Sequence, residues 1–453
     1  MENRAADYNL KEVMIMKDNS INRRQFLRRA AGTAVGAIGF PYLISSSALG
    51  KAGGIAPSNR ITAGMVGWGM QGPGNTESFL SEEDCQVVAM CDLDEGHLAK
   101  GVRTINRSNG NQDCKAYHDF RDMFAREDID VVMLAVPDHW HAIVAIAAAR
   151  AGKDIYGEKP LAHSYIEQQA ICRAVKQYGR VWQTGSWQRS QRNFRFACEL
   201  VRNGYVGNIK EVHVGLPEGH EDFSGRASET TFTKPPQGLD YDFWLGPAPW
   251  APYCPARVHM NWRWNLDYGG GQLLDWIGHH LDIAHWGLDL EYTGPVEIEA
   301  QGDFPTKGIY NSPTSYRVYT KYANGIKITI SGGHRDIRGG TKWIGDEGWI
   351  HVDRGRLDAS NKKLLDEKIK PSQIHLFRSP GHTRNFLDCV KSRATTLAPV
   401  EVAHRSAAPG HLAYISMNLG RKIYFDPDKE QILNDPRAAQ LMAAAPMRSP
   451  WHL

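Results

Sequence analysis

The stretch Ile61 to Gly72, "ITAGMVGWGMQG", constrains this chain more than any other. A six-residue apolar run leads directly into Gly67-x-Gly69-x-x-Gly72. A strand that ends on such a loop predicts a helix after it. The glycines let the chain turn tightly and bring bare backbone up to a pyrophosphate at the helix N-terminus. The next apolar run, "CQVVAMCD", ends in Asp92, twenty residues past Gly72. A carboxylate there is placed to accept the hydroxyls of an adenosine ribose. No arginine follows at once to hold a 2′-phosphate, so NAD is favoured over NADP. Gly67, Gly69, Met70, Gly72 and Asp92 are the expected contacts.

The alternation continues. "IDVVMLAVPDHWH" is a buried strand that ends in a polar loop, "AIVAIAAARAG" is a helix stopped by Gly152, and "KDIYGEKPLAHS" is a strand ending at Glu158-Lys159-Pro160. Strands alternating with helices predict a doubly wound parallel sheet, a Rossmann domain over residues 57–180, whose strand C-termini form the ligand crevice. Pro137, His139, His141, Glu158 and Lys159 follow such strand ends and join Asp92 on one rim. From residue 181 to 453 the texture changes, and eleven of the thirteen tryptophans lie beyond residue 180. "SYRVYTKYANGIKITISGG" alternates with period two around an Asn-Gly turn. That predicts an α+β second domain with an open, largely antiparallel sheet.

"LLDWIGHHLDIAHWGLD", Leu273 to Asp289, puts Asp275, His279 and Asp282 on one helical face. Asp275 there can hydrogen-bond His279 and raise its basicity, and a histidine passes protons well near neutral pH. A zinc site is the rival reading. His280 points about 100° away around the helix, and no HExxH or cysteine partner appears, so no metal is expected. His280 and His285 read as structural or as secondary substrate contacts. Gln188 and Arg189 in "WQTGSWQRSQRNF", Trp262 and Arg263 in "NWRWNLDYGGG", and His382 in "GHTRNFLDCV" are further pocket candidates. Aromatic faces beside arginine and amide groups suit a sugar ring and its hydroxyls.

The N-terminus reads separately. "NRRQFLRRAAGTAVGAIGFPYLISSSALG" has a twin arginine, Arg23-Arg24, then an apolar run of small residues. It reads as a twin-arginine export signal within residues 1–50, removed after passage through that translocation machinery to the periplasm. The run from Ala30 to Ile44 is too short to favour a membrane anchor. Residues 1–50 hold seven Lys/Arg against four acids, leaving 46 of each charge in the remainder. A neutral body has no electrostatic reason to bind nucleic acid. Seven scattered cysteines without a CxxC pair predict buried thiols, with one disulfide possible in an oxidising compartment.

Together the glycine loop, "AVPDHWH", "EKP" and "GGGQLLDWIGHHLDIAHWG" resemble the Gfo/Idh/MocA oxidoreductases over nearly all of residues 58–450. The resemblance implies a two-domain NAD(P)-dependent enzyme, forming homodimers or homotetramers, that oxidises or reduces a secondary hydroxyl or keto carbon of a sugar or glycoside. It makes Lys159 the active-site lysine and Asp275, His279 and Asp282 the later motif. The motif's glycine, two residues past the aspartate, is replaced by Ile277, with Gly278 one place on. The alternative is an NAD-dependent glycoside hydrolase working by transient oxidation, elimination and re-reduction. Its N-acetylgalactosaminidase members carry a His-Gly-x-Gly-Pro segment that this chain lacks.

Overall fold

Six short strands build the first sheet: β1 (Ile61–Val66), β2 (Cys85–Cys91), β3 (Lys115–Tyr117), β4 (Val131–Leu134), β5 (Asp154–Gly157) and β6 (Trp182–Thr184). All pairs are parallel, in the order β3-β2-β1-β4-β5-β6. Helices cover both faces, so a central strand such as β4 is buried at every position and reads as an unbroken apolar run. Local chemistry sets the helix ends. The Asp94 side chain caps the Glu95–Asn109 helix, and Gly110 ends it at φ 67°. Ser164 and Glu167 form a capping box on the Tyr165–Gln177 helix. This computed structural model describes residue 56, residues 59–443 and residues 445–453. The twin-arginine segment lies outside them. The sheet extends past residue 180, because β6 pairs with β5.

The second sheet has nine strands. They are β7 (Ile209–Leu216), β8 (Glu297–Asp303), β9 (Ser315–Lys321), β10 (Lys327–Gly332), β11 (Gly340–Gly345), β12 (Trp349–Asp353), β13 (Arg356–Ala359), β14 (Ile423–Asp426) and β15 (Gln431–Leu433). Their order is β13-β12-β11-β7-β10-β9-β8-β14-β15, antiparallel except for β7 with β10. The Asn324-Gly325 turn joins β9 to β10, with Gly325 at φ 87°. The helices Arg192–Arg202, Gly271–Leu288 and Val400–Leu419 pack over this sheet around Leu273, Ile277, Leu281 and Trp343.

Between β7 and the Gly271–Leu288 helix the chain leaves its own sheet and lies across the rim of the first. Glu95 N–H donates to Gly238 (2.8 Å), Asp240 N–H to Leu93 (3.2 Å) and His139 N–H to Tyr268 (3.2 Å). Trp244, Tyr253, Trp262 and Tyr268 give this segment a small aromatic core. It roofs the crevice predicted at the strand ends. All seven cysteines are free thiols, and the possible disulfide is not formed.

Candidate active site

A cavity of about 550 Å³ runs from the glycine loop and Asp92 to Lys159, Asp275 and His279. At the first end, Gly67 turns at φ 92°, where a Cβ would stand 2.3 Å from the Ala135 carbonyl oxygen. A Cβ on Gly72 would stand 2.1 Å from the Gly67 carbonyl oxygen, so both glycines are demanded by packing. Gly69 lines the cavity, and a Cβ there would meet no atom within 4 Å. Bare backbone thus faces open space at the start of the Gly72–Leu80 helix, the cradle a pyrophosphate requires. Asp92 anchors the loop, accepting Trp68 N–H on Oδ2 (2.7 Å) and Asp94 N–H on Oδ1 (2.9 Å). Each oxygen keeps a lone pair for a ribose hydroxyl. Gly72→Val should raise the NAD dissociation constant by about 10- to 100-fold through forced loop movement. Calorimetric titration measures this, with Gly74→Ala, whose Cβ meets open space, as the unchanged control.

At the second end, Lys159 Nζ donates to Asp275 Oδ1 (3.0 Å) and to the Asp275 carbonyl (2.8 Å). Arg263 Nε reaches the same Oδ1 at 3.3 Å. Burial pushes the Asp275 carboxyl up, but the Lys159 and Arg263 charges outweigh it and hold it below the usual carboxylate range. His279 is buried, and its Nδ1 has no partner. Burial first, then the Lys159 and Arg354 charges, push its pKa well below the usual value, so the ring is neutral at pH 7. This corrects the expected pairing: Asp275 holds Lys159 and not His279. Two cations reach the carboxylate first, and a neutral imidazole cannot compete with them. Gly278 explains the displaced glycine. A Cβ there would lie 3.2 Å from Lys159 Cβ, and its carbonyl accepts Ser186 Oγ–H at 2.8 Å, so glycine seats the helix against the end of β5.

Pro137, Met70, Glu158, Trp262 and Arg263 line the cavity with these groups. Glu158 is buried and accepts Asn75 Nδ2–H at 2.8 Å. Other candidates lie elsewhere. His139 turns from the crevice to the carbonyls of Trp244 (3.0 Å) and Tyr268 (3.3 Å) and so joins the roof to the first sheet. The ring nitrogens of His141 lie 2.7 Å from the Pro160 carbonyl and 2.9 Å from the Val136 carbonyl, and its single N–H donates to one of them, holding the turn that carries Lys159. Arg189 is 2% exposed and locked to Asp282 (2.6 and 2.9 Å) and Glu291 (2.7 Å), so it is structural. Asp282 shares a helical face with Asp275 but sits about 10 Å further along the axis, which carries it to Arg189. His280 turns toward Asp353 (3.6 Å), and His382 bonds the Thr184 carbonyl (2.7 Å) and Ser190 (2.8 Å). Gln188 supports the site from behind. With its amide oriented to satisfy both neighbours, it donates to the His279 carbonyl (3.1 Å) and accepts from Arg354 Nε (3.2 Å).

Among the groups in the cavity wall that sequence reasoning missed are Asp138, Trp187, Trp276 and Arg354. Asp138 lies in the quoted "AVPDHWH" segment directly before His139, and its place just past a strand end was its available signal. Burial and the Asp275 charge push its carboxyl up to about 7. Asp94, His97 and His259 also converge near Asp92, each offering a ligand atom within 4.8 Å of the others, so this group could hold a cation.

Two family models match the chain. One, described as the oxidoreductase family's NAD-binding Rossmann fold, covers residues 61–186. The other, its C-terminal alpha/beta domain, covers residues 190–453. A glycosyl hydrolase family 109 protein of Shewanella sp. (strain W3-18-1) is 32% identical over 158 residues, 32% of this chain and 34% of that protein. An inositol 2-dehydrogenase of Salmonella paratyphi B is 28% identical over 155 residues, covering 34% and 45% of the two chains. The matched segment thus spans about a third of the first such relative's length. Among solved structures, the WlbA dehydrogenase from Chromobacterium violaceum, in complex with NADH and UDP-GlcNAcA, superposes with a TM-score of 0.59 at 18% identity. That likeness covers 82% of this chain and 98% of that one. The myo-inositol 2-dehydrogenase from Lactobacillus plantarum gives 0.58 at 18%, over 81% and 100%. At these identities the likeness is one of fold.

Proposed function

Because the chain belongs to the Gfo/Idh/MocA oxidoreductase family, we propose that it oxidises or reduces a secondary hydroxyl or keto carbon of a sugar or glycoside with bound NAD. The observation that carries this reading is Lys159 Nζ, fixed by Asp275 beside a neutral, pocket-facing His279 in the cavity that begins at the glycine cradle. NAD supplies a hydride acceptor. The chain's residues handle the oxygen. Lys159 donates a charge-assisted hydrogen bond to it as negative charge develops, and neutral His279 accepts the hydroxyl proton. Asp275, itself fixed by Arg263, keeps the ammonium from swinging away. The roof segment excludes water, which strengthens each of these interactions. Asp92 supports NAD over NADP, since a 2′-phosphate would meet a carboxylate.

Asp138 favours a second reading. A buried carboxyl near pH 7 can give or take a proton at carbon or at a leaving group, which the oxidation–elimination–reduction route of a glycoside hydrolase needs. The partial likeness to family 109 proteins is consistent with it. Incubation with NAD and a panel of sugars and glycosides decides. NADH or a keto-sugar supports the oxidoreductase, free sugar without net NADH supports the hydrolase, and no product in any case defeats both. Export by the twin-arginine route belongs to the same proposal, supported by Arg23-Arg24 ahead of the apolar run. So does assembly into a homodimer or homotetramer, supported by Tyr319 and Tyr424, exposed on the large sheet.

A further inference from the structure

Beyond Lys159 and His279 the cavity is walled by Trp187, Trp276 and Arg354. Arg354 stands exposed at the tip of the β12–β13 hairpin, beside Gly355 at φ 67°. Its Cζ lies 4.3 Å from the Trp276 ring centroid and 4.6 Å from that of Trp187. Gln188 takes its Nε–H at 3.2 Å. Two indoles and an amide therefore fix the guanidinium plane. Neither terminal nitrogen makes a hydrogen bond to the described residues, and no described carboxylate forms a salt bridge with it. Asp353, its chain neighbour, turns to His280 at 3.6 Å. Asp275 is already engaged by Lys159 and Arg263.

A flat cation held by stacking, with its forked edge free, receives a carboxylate through two parallel N–H···O bonds. The surrounding charge points the same way. Lys159, Arg263 and Arg354 face Asp275 as the ionised counter-charge; Glu158, pushed up by burial, lies behind Lys159, Asp353 acts on Arg354 from its own hairpin, and Asp138, held partly protonated at neutral pH, adds little. A phosphate monoester has three oxygens and two charges to satisfy. One fork does not meet that demand, whereas it does meet a carboxylate.

We propose that Arg354 is a carboxylate-binding subsite and that the substrate is a sugar acid, an inference that rests on the oxidoreductase reading above. Trp187 and Trp276 orient the arginine and pack against the ring. The subsite would place the acid group next to the reacting hydroxyl held by Lys159 and His279.

The test uses the NAD-loaded protein. D-glucuronate, D-galacturonate and D-gluconate are titrated against D-glucose, D-galactose and D-glucose 6-phosphate, read by calorimetry and by tryptophan fluorescence. At least one acid should bind roughly 10- to 100-fold tighter than its neutral counterpart. Arg354→Gln should abolish that preference, and Arg354→Lys should restore only part of it, because a point charge lacks the fork. NAD affinity, read at the far end of the cavity, reports that each variant is folded. Acids binding no tighter than neutral sugars, the phosphate binding tightest, or a preference that survives Arg354→Gln would each overturn the proposal. Acid binding without NADH or keto product would sink the oxidoreductase reading and leave the subsite standing. Turnover of neutral sugars with no acid preference would do the reverse.

Discussion

Lys159→Ala should lower turnover by about 10³-fold, roughly 4 kcal/mol of transition-state stabilisation, and should leave NAD affinity near that of the parent. The ammonium is one of the few donors aimed at the position where alkoxide charge develops, and its loss removes a charge-assisted bond in a water-poor cavity. Cofactor binding survives because the cradle at Gly67 and Gly69 and the anchor at Asp92 lie at the other end. Asp275 keeps Arg263 as a partner, so the helix is not left with an unpaired buried carboxylate. The same substitution carries a second signature. The Lys159 charge is, after burial, the largest cause of the depressed His279 pKa. Removing that cation favours imidazolium, so the acid limb of the residual activity should move up toward neutral pH. Single-turnover rates across pH measure both effects. Unchanged turnover sinks the role given to Lys159, and loss of rate with no shift in the acid limb sinks its coupling to His279.

Between pH 6.5 and 5.5 the protein should lose on the order of 4 kcal/mol of stability, a large part of a folded domain's margin. Five buried histidines are the main cause, and His279 and His141, also pushed down by burial, act in the same direction. Burial pushes His139, His285 and His411 down to about 3 and His280 and His382 down to about 4, against an ordinary value of 6.5. In the unfolded chain all five take up protons as pH falls through 6.5, while in the folded chain they stay neutral until about pH 4. Stability is therefore complete above 6.5 and lost as pH falls toward the folded values. Each contributes at most about 1.4 kcal/mol per pH unit. Asp138 opposes them, because the folded state already holds a proton there below about 7. It offsets one of the five. Scanning calorimetry from pH 8 to 4.5 should show a steep fall in Tm beginning near 6.5. A Tm that is flat down to pH 5 would refute this account.

The nucleotide half of the site was legible because its chemistry is local. A tight glycine turn, a strand before it and an acid at the next strand end are fixed by neighbours within a few tens of residues. Gly67, Gly72 and Asp92 therefore lie where their spacing placed them. The period-two pattern around Asn324-Gly325 likewise specified its own hairpin. The chemistry half depends on which cation reaches which carboxylate, and that is a matter of long-range packing. Periodicity put Asp275 and His279 on one face, but Lys159, 116 positions earlier, and Arg263, 12 positions earlier, take the carboxylate. His139 and His141 follow the right strand end, yet helical rotation turns them toward the roof and the Lys159 turn.

Arg354 had no signal at all. It is one arginine in a short hairpin, and only the register of β12 with β13 and the packing of two distant tryptophans bring it to the cavity. The sequence alone determined a parallel nucleotide-binding sheet and an antiparallel partner, and singled out Lys159 and His279 as candidates that both line the cavity, because turns, periodicity and strand ends are short-range constraints. The tertiary structure decided the partners of those groups, the roof and the arginine wall, because contacts between residues a hundred positions apart are selected by how whole elements pack.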